Sequence, residues 1–364
     1  MKILYVSSNG GIHDYRFLKK LAEDYEVLFL HYAAGEIIDE IDRIGNLEII
    51  SKKPAFRSMP LISERSHFKK VVKEFKPDII HSGYVWQVGI LAANSGFHPH
   101  LSMPWGSDIL TEPNKSYFRR RLVKKVMETC DHVQCDAEFV KKKIMADYSQ
   151  PAEKISVFPW GIDLNQFRKS DKTQARRKLN LDEDKFIVLF NRYFEPVYGV
   201  NYLLDAYRDF SSGKEDVMML MLSDGSGKND VLRYITEKGL DEKVQLIGRV
   251  PNHELPDFLN AADVYVSPSL SDGTSLSLLE AMACGTGMIV TDVPAIKEWV
   301  NSENGLMVKK GSSAEIKTAL EEYYINRELV NTHGRKNIEI SAARADWDKN
   351  YLKLKEIYNN LLTK

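Results

Sequence analysis

What most limits the folds open to this chain is an alternation that runs along almost its whole length. Short apolar runs rich in Val, Ile, Leu and Phe each end in a polar or glycine-bearing turn, and longer segments with apolar residues at helical spacing follow. Lys2 to Ser8, Glu26 to His31, Pro77 to Ser82, Asp131 to Cys135, Phe186 to Phe190, Val217 to Leu222, the run opening at Val264, Met288 to Thr291 and Gly305 to Val308 all read as strands. Strands that alternate with helices in this way build α/β folds with a doubly wound parallel sheet. At 364 residues the chain exceeds one ordinary core. Two facing doubly wound, Rossmann-like domains with a cleft between them are therefore expected. The boundaries implied are 1–167 with a returning segment 343–364 for the first domain, and 168–342 for the second. A polar stretch, Arg168 to Lys178, reads as the linker.

Composition excludes several classes. Hydrophobic residues make up 43% and charged residues 28%, as in folded globular chains. Lys and Arg number 50 against 51 Asp and Glu, so no overall basic field points to nucleic acid. The opening residues turn polar too soon for a signal peptide, and no apolar run approaches the roughly 18 residues of a membrane span. A cytoplasmic protein is expected. Three cysteines, Cys130, Cys135 and Cys284, fit neither a disulfide framework nor a zinc site. Two local basic excesses stand out: eight basic against two acidic residues over 52–76, and nine against four over 115–143. These are either solvated helix faces or surfaces for an anionic membrane or acceptor, which would place the protein at the inner membrane face.

The stretch Val264 to Gly285 carries most of the chemistry. A buried strand turns at Pro268 and Asp272-Gly273, and Leu276, Leu279, Met282 and Ala283 then share a helix face. Thr274 or Ser275 can cap that helix. Helix starts bind anions, because their first N–H groups lack partners and the dipole is positive there. Glu280 falls about 7–8 Å along the axis from such a cap, roughly one ribose from a bound phosphate. Alternatively Asp272 is a turn residue and Glu280 a solvated helix carboxylate.

Asp272, Gly273, a spacer, Ser275, then Glu280 eight positions after the first acid, followed by A-M-A-C-G, resembles the signature of the retaining nucleotide-sugar glycosyltransferases of family four, which have the GT-B fold. The resemblance implies that Arg192 and the helix start at Gly273, Thr274, Ser275 and Leu276 meet the donor diphosphate, that Asp272 holds sugar hydroxyls, and that Glu280 holds the ribose. It places Gly10 and Gly11 against the diphosphate, although a plain tight turn explains that pair equally. Gly225 in S-D-G-S-G resembles a family turn that lines the donor site, and Arg249 either stacks on the base or, as the default reading, is an exposed surface residue. Gly106 and Asp108 resemble a cleft loop whose usual His is here Trp105, so no general base is carried over. Tyr198 stands where the family has Lys, which removes one expected phosphate contact. Asp182 and Asp184 read as a turn rather than a metal-binding pair.

The expectation is thus a retaining transferase moving a sugar from a nucleotide diphosphate to a hydroxyl acceptor in glycan or glycolipid synthesis. No cofactor and no metal are required by this reading, and a lipid-linked acceptor is one option. The same architecture serves nucleotide-sugar epimerases and phosphorylases. The departures at Trp105, Tyr198 and Asp272 would also suit a catalytically weak nucleotide-binding scaffold.

Overall fold

The computed structural model describes residues 1–33, 36–53 and 64–363. Thirteen strands occur among them, in two sheets whose pairings are all parallel. The first sheet holds β1 (Lys2–Ser7), β2 (Glu26–His31), β3 (Leu47–Ser51), β4 (Ile79–Gly83), β5 (His100–Met103), β6 (His132–Cys135) and β7 (Ile155–Val157). Their spatial order is β3-β2-β1-β4-β5-β6-β7. The second holds β8 (Phe186–Phe190), β9 (Val217–Met221), β10 (Val244–Leu246), β11 (Val264–Ser267), β12 (Gly287–Thr291) and β13 (Leu306–Val308), in the order β10-β9-β8-β11-β12-β13. Each sheet is doubly wound about its first strand. Each therefore has a switch point where the chain leaves in opposite directions, between β1 and β4 and between β8 and β11.

The sequence reads this way because the central strands are covered on both faces. Leu4 of β1 pairs with Leu28 and Ile80, all essentially without exposure. Phe186, Val188 and Phe190 of β8 are wholly buried, packed among Leu203, Tyr207 and Phe210 of the helix Val200–Ser211. Strands closed in by helices on both sides carry no polar alternation. β3 is the exception and is absent from the sequence expectation, since Leu47–Ser51 lies at a sheet edge with no fully buried residue.

By compactness the chain divides into Met1–Pro159 with Tyr351–Lys364, and Trp160–Asn350, where the sequence suggests breaks at 167 and 343. The residues around Gly161 belong to the second unit because Ile162 donates its N–H to the Ala345 carbonyl at 2.7 Å and accepts from Trp347 at 3.1 Å. That same pairing interrupts the final helix. The expected single helix Ala343 to Leu362 is instead the end of Arg327–Arg344 followed by Trp347–Leu362. Nor is Arg168 to Lys178 a linker. Asp171 caps a helix, Lys172–Lys178, by accepting from the Gln174 amide at 2.7 Å. Arg176 on it is 4% exposed and donates to Asp263 at 2.8 Å, where Lys172 also arrives at 2.6 Å. The stretch is polar because a buried carboxylate needs cations around it.

Tyr351 and the residues after it complete the first unit. The Tyr351 hydroxyl donates to Asp24 at 2.9 Å, and the buried Tyr358 hydroxyl meets His81 Nδ1 at 2.6 Å. No helix among the described residues is long and apolar enough to cross a membrane.

Candidate functional site

In the second unit the β8–β11 switch point gathers residues far apart in sequence. The loop after β8 carries Arg192, and the loop after β11 carries Asp272 to Ser275. Arg192 Nη2 donates to Asp272 Oδ2 at 2.8 Å. Its Nη1 donates to Ser277 Oγ at 2.9 Å and also to Ser275 Oγ. The Tyr198 ring lies beneath the guanidinium, 4.2 Å from centroid to carbon. Side-chain exposure is 11% for Arg192 and 15% for Asp272, so little water competes for this pair. Burial alone would pull the Arg192 pKa down, but Asp272 with the Tyr265 and Tyr198 phenols outweighs it and Arg192 stays a cation. Burial likewise pushes Asp272 up, opposed by Arg192 and by the Gly273 amide.

Local sequence explains how the helix start is presented. Ser275 is extended, at φ −72° and ψ 118°, and its Oγ accepts from the Leu278 amide at 3.4 Å, which opens the helix Leu276–Ala283. Thr274, the other candidate cap, instead accepts from Trp299 Nε1 at 3.3 Å. Leu276 turns its side chain into the core and is 8% exposed. Glu280 is 5% exposed, which removes the reading of a solvated helix carboxylate. Gly199 stands at φ +69°, and a Cβ there would come 2.1 Å from the Pro268 carbonyl oxygen. The loop bearing Tyr198 can therefore lie against the loop after β11 only with glycine at that position.

Gly225, at φ +146°, backs onto the Phe194 amide, with a Cβ placed 2.8 Å from it. Next to it, the Ser226 amide and hydroxyl donate to Glu195 at 2.8 and 2.7 Å. This turn is thus fastened to the Arg192 loop. Arg249 makes no hydrogen bond or ion pair with these loops among the described residues. It is exposed on the loop after β10, an edge strand separated from β8 by β9. Asp184 donates its N–H to Asp182 at 2.9 Å in a turn. Among the described residues no three His, Cys, Asp or Glu side chains are grouped to hold a metal ion.

In the first unit the corresponding switch point is built around two buried carboxylates. Asp14 accepts from Tyr5 and Ser7 hydroxyls at 3.0 Å each and from the Gly10 amide at 2.8 Å. The Gly10 N–H is thereby engaged, while Gly11 opens the helix Ile12–Asp24. Asp108 is wholly buried and accepts from the Val85 amide at 2.7 Å and the Trp105 amide at 3.0 Å. It ties the loops after β4 and β5 together and turns its carboxylate inward, beyond reach of a ligand. Gly106 stands at φ +99° beside it. Burial pushes both carboxyls up to about 6 against these hydrogen bonds. Trp105 packs edge-on against His13, 5.4 Å between ring centres, and against Tyr84 at 6.2 Å.

Tyr265, Ser277, Asp14 and His13 are part of this geometry and are not singled out by the sequence reading. Tyr265 and Ser277 do lie inside the central motif, at a strand position facing the cap and two residues past it.

Residues 171–340 match the family described as glycosyl transferases group 1, and residues 2–137 match glycosyl transferase 4-like. The chain belongs to the GT-B glycosyltransferases of family four. An uncharacterized glycosyltransferase of Methanocaldococcus jannaschii is 26% identical to this glycosyltransferase, over 99% of this chain and 97% of its own. A D-inositol 3-phosphate glycosyltransferase of Thermobispora bispora is 26% identical over 92% of this chain and 81% of its own. Among solved structures, HepE of Anabaena in complex with UDP-glucose superposes with a TM-score of 0.84 at 19% identity, covering 99% of this chain and 100% of that one. Sucrose-phosphate synthase of Thermosynechococcus elongatus gives 0.80 at 20% identity, with 100% and 99% covered. The fold of this glycosyltransferase is the GT-B fold.

Proposed function

We propose that the enzyme moves a sugar from a nucleoside diphosphate to a hydroxyl acceptor with retention of anomeric configuration, in the synthesis of a glycan or glycolipid. The observation that carries this reading is the placement of Arg192 at the β8–β11 switch point, held by Asp272 and by the Ser275 cap of Leu276–Ala283. Breaking a glycosidic C–O bond leaves negative charge on the departing diphosphate. A fixed guanidinium beside a helix start stabilises that charge without reorganising. Those two groups supply the positive charge a metal ion would otherwise bring, so activity is expected to survive chelation. Glu280 would hold the ribose. Asp272, besides fixing Arg192, would meet sugar hydroxyls. With Trp105 unable to exchange protons at the position where the resemblance leads one to expect His, same-face attack with the leaving phosphate taking the acceptor's proton is the route that needs no further base.

The HepE complexes hold UDP, UDP with glucose, and UDP-glucose. UDP-glucose is accordingly the first donor to test, followed by GDP- and ADP-glucose. Proton NMR of the anomeric signals in the presence of EDTA tests the reaction, the stereochemistry and the metal together. An inverted product or a strict metal requirement would overturn those parts, and acceptor-dependent release of no diphosphate from any donor would overturn the whole.

An acceptor at a lipid surface is favoured by one feature of the first unit. Tyr117 and Phe118, at the start of the helix Tyr117–Thr129, are 80% and 53% exposed beside Arg119, Arg120 and Arg121. Several cations of the 115–143 run are already paired, Arg119 and Lys115 with Glu112 and Lys124 with Glu128, so the aromatic pair has to supply part of any membrane contact. Of the 52–76 run, 54–63 lie outside the described residues. Among the described residues of that run, Lys52 pairs with Glu64 at 2.7 Å and Lys70 with Glu74 at 3.8 Å.

A further inference from the structure

Asn191 stands between the last residue of β8 and Arg192. Its side-chain oxygen Oδ1 is closed off from solvent and has no hydrogen-bond partner. Its Nδ2 has no partner either, but the residue as a whole is only half-buried and that end is not closed off. A buried carbonyl oxygen without a donor costs stability, and native structures keep few of them. Slack in the loop does not account for this one, because the backbone is fastened on both sides of it. The Phe190 carbonyl accepts from the Leu222 amide at 2.8 Å, and the Phe194 amide donates to the Asp224 carbonyl at 3.0 Å. Strand register shows which way the residue faces. Leu189 is paired with Tyr265 of β11, so the two share a sheet face. Leu276–Ala283 covers that face, since the Tyr265 hydroxyl donates to Ser277 Oγ on this helix at 2.9 Å. Phe190 points the opposite way, into the core beside Val200–Ser211. By alternation Asn191 follows Leu189 onto the Leu276–Ala283 face, one residue past the carboxyl end of β8, where Arg192 meets the Ser275 cap.

A carboxamide has two unlike ends, an oxygen that accepts and a nitrogen that donates twice. In Asn191 the oxygen is the end turned inward, and the N–H end is left open. An anion accepts from N–H groups and is repelled by a carbonyl oxygen. We infer that Asn191 is a binding residue for the donor diphosphate and gives an Nδ2 hydrogen to one of its oxygens. It thereby adds a neutral hydrogen bond in a site where Tyr198, standing at the family's lysine position, offers no ammonium. The inference rests on the reading of this switch point as the donor subsite. It adds a residue at which folding and binding pull in opposite directions: the chain tolerates an unmet oxygen in order to hold out the donor at the other end.

Opposite signs make the test specific. Asn191→Leu keeps the size of the side chain and removes both of its polar ends. Its melting temperature should rise by about 2–4 °C, because no oxygen is left buried without a donor. Its affinity for inorganic pyrophosphate and for UDP should fall by about 3- to 10-fold, the worth of one neutral hydrogen bond. Asn191→Asp puts a charged oxygen where the N–H end was, and its loss for both ligands should exceed that of Asn191→Leu. Calorimetry of wild type and the two variants with pyrophosphate and UDP, together with thermal melting, decides it. Unchanged affinity in Asn191→Leu, an Asn191→Asp that binds as well as Asn191→Leu, or a loss seen with UDP and not with pyrophosphate overturns the inference and leaves the donor subsite standing. A lower melting temperature in Asn191→Leu overturns it too, since the oxygen then has a partner in the folded chain. If the wild type binds neither pyrophosphate nor UDP, GDP or ADP, the donor reading falls and the inference falls with it.

Discussion

The guanidinium carbon of Arg192 stands 4.2 Å from the centre of the Tyr198 ring, at the position where the family resemblance leads one to expect lysine. A ring face holds a cation in place without adding a charge of its own. In the proposed reaction, transition-state stabilisation would then fall chiefly on Arg192. Arg192→Ala is expected to cost about 2–4 kcal/mol in kcat/KM, as removal of an anion-stabilising donor does elsewhere. Tyr198→Phe keeps the ring and should cost less than about 1 kcal/mol. Steady-state rates with the identified donor check both. Equal small effects would refute the assignment, and a larger loss at Tyr198 would exchange the roles.

Glu280→Gln should weaken nucleotide binding by about 1.5–3 kcal/mol with little change in melting temperature. The side chain is 5% exposed, and Gln matches its shape, so the fold keeps its packing. What is lost is one carboxylate oxygen able to accept from a ribose hydroxyl. Calorimetric titration with UDP is the measurement, and an unchanged affinity would take Glu280 out of the site.

Asp14 and Asp108 make stability depend on pH in the direction opposite to most carboxylates. Burial raises each from 3.8 to about 6, so between those values the folded chain holds more protons than the unfolded chain. Stability contributed by the protonated forms is present below about pH 4 and is lost as pH rises through 6, on the order of 3 kcal/mol for each group. Asp14→Asn, which cannot ionise, should flatten the fall in melting temperature between pH 4 and 7. If wild type and variant show parallel profiles, the shift assigned to Asp14 is wrong.

Membrane contact through the start of Tyr117–Thr129 can be separated from general electrostatics. Sedimentation with phosphatidylglycerol vesicles should show binding that weakens with salt and drops further, by about tenfold, in a Phe118→Ser chain whose charge is unchanged. Equal sedimentation of the two proteins would leave the helix start as an ordinary solvated surface.

Much of the architecture is legible in the sequence because buried parallel strands carry no polar alternation, and runs such as Phe186 to Phe190 are too short for a buried helix and are bounded by polar residues. β3 is not legible: half-buried at an edge, Leu47–Ser51 looks like any mixed segment. The site divides in a similar way. The capped helix start at Ser275 is local and shows in the residue order. The bond between Arg192 and Asp272 spans 80 residues and appears only when β8 and β11 lie side by side. Asp108 shows a different failure. Gly106-Ser107-Asp108 spells the same whether the carboxylate faces a ligand or, as here, two backbone amides.

The last helix has a consequence for how the protein is made. Tyr351 and Tyr358 belong to the first unit, yet they are synthesised after the whole of Trp160–Asn350. A ribosome adding about 5–20 residues per second needs roughly 10–40 s to cover that interval. Throughout it, the His81 and Asp24 surfaces that these tyrosines cover stay open on the nascent chain. The unit that emerges before Trp160–Asn350 is completed only after it, and a chaperone that shelters nascent chains would find its binding surface there.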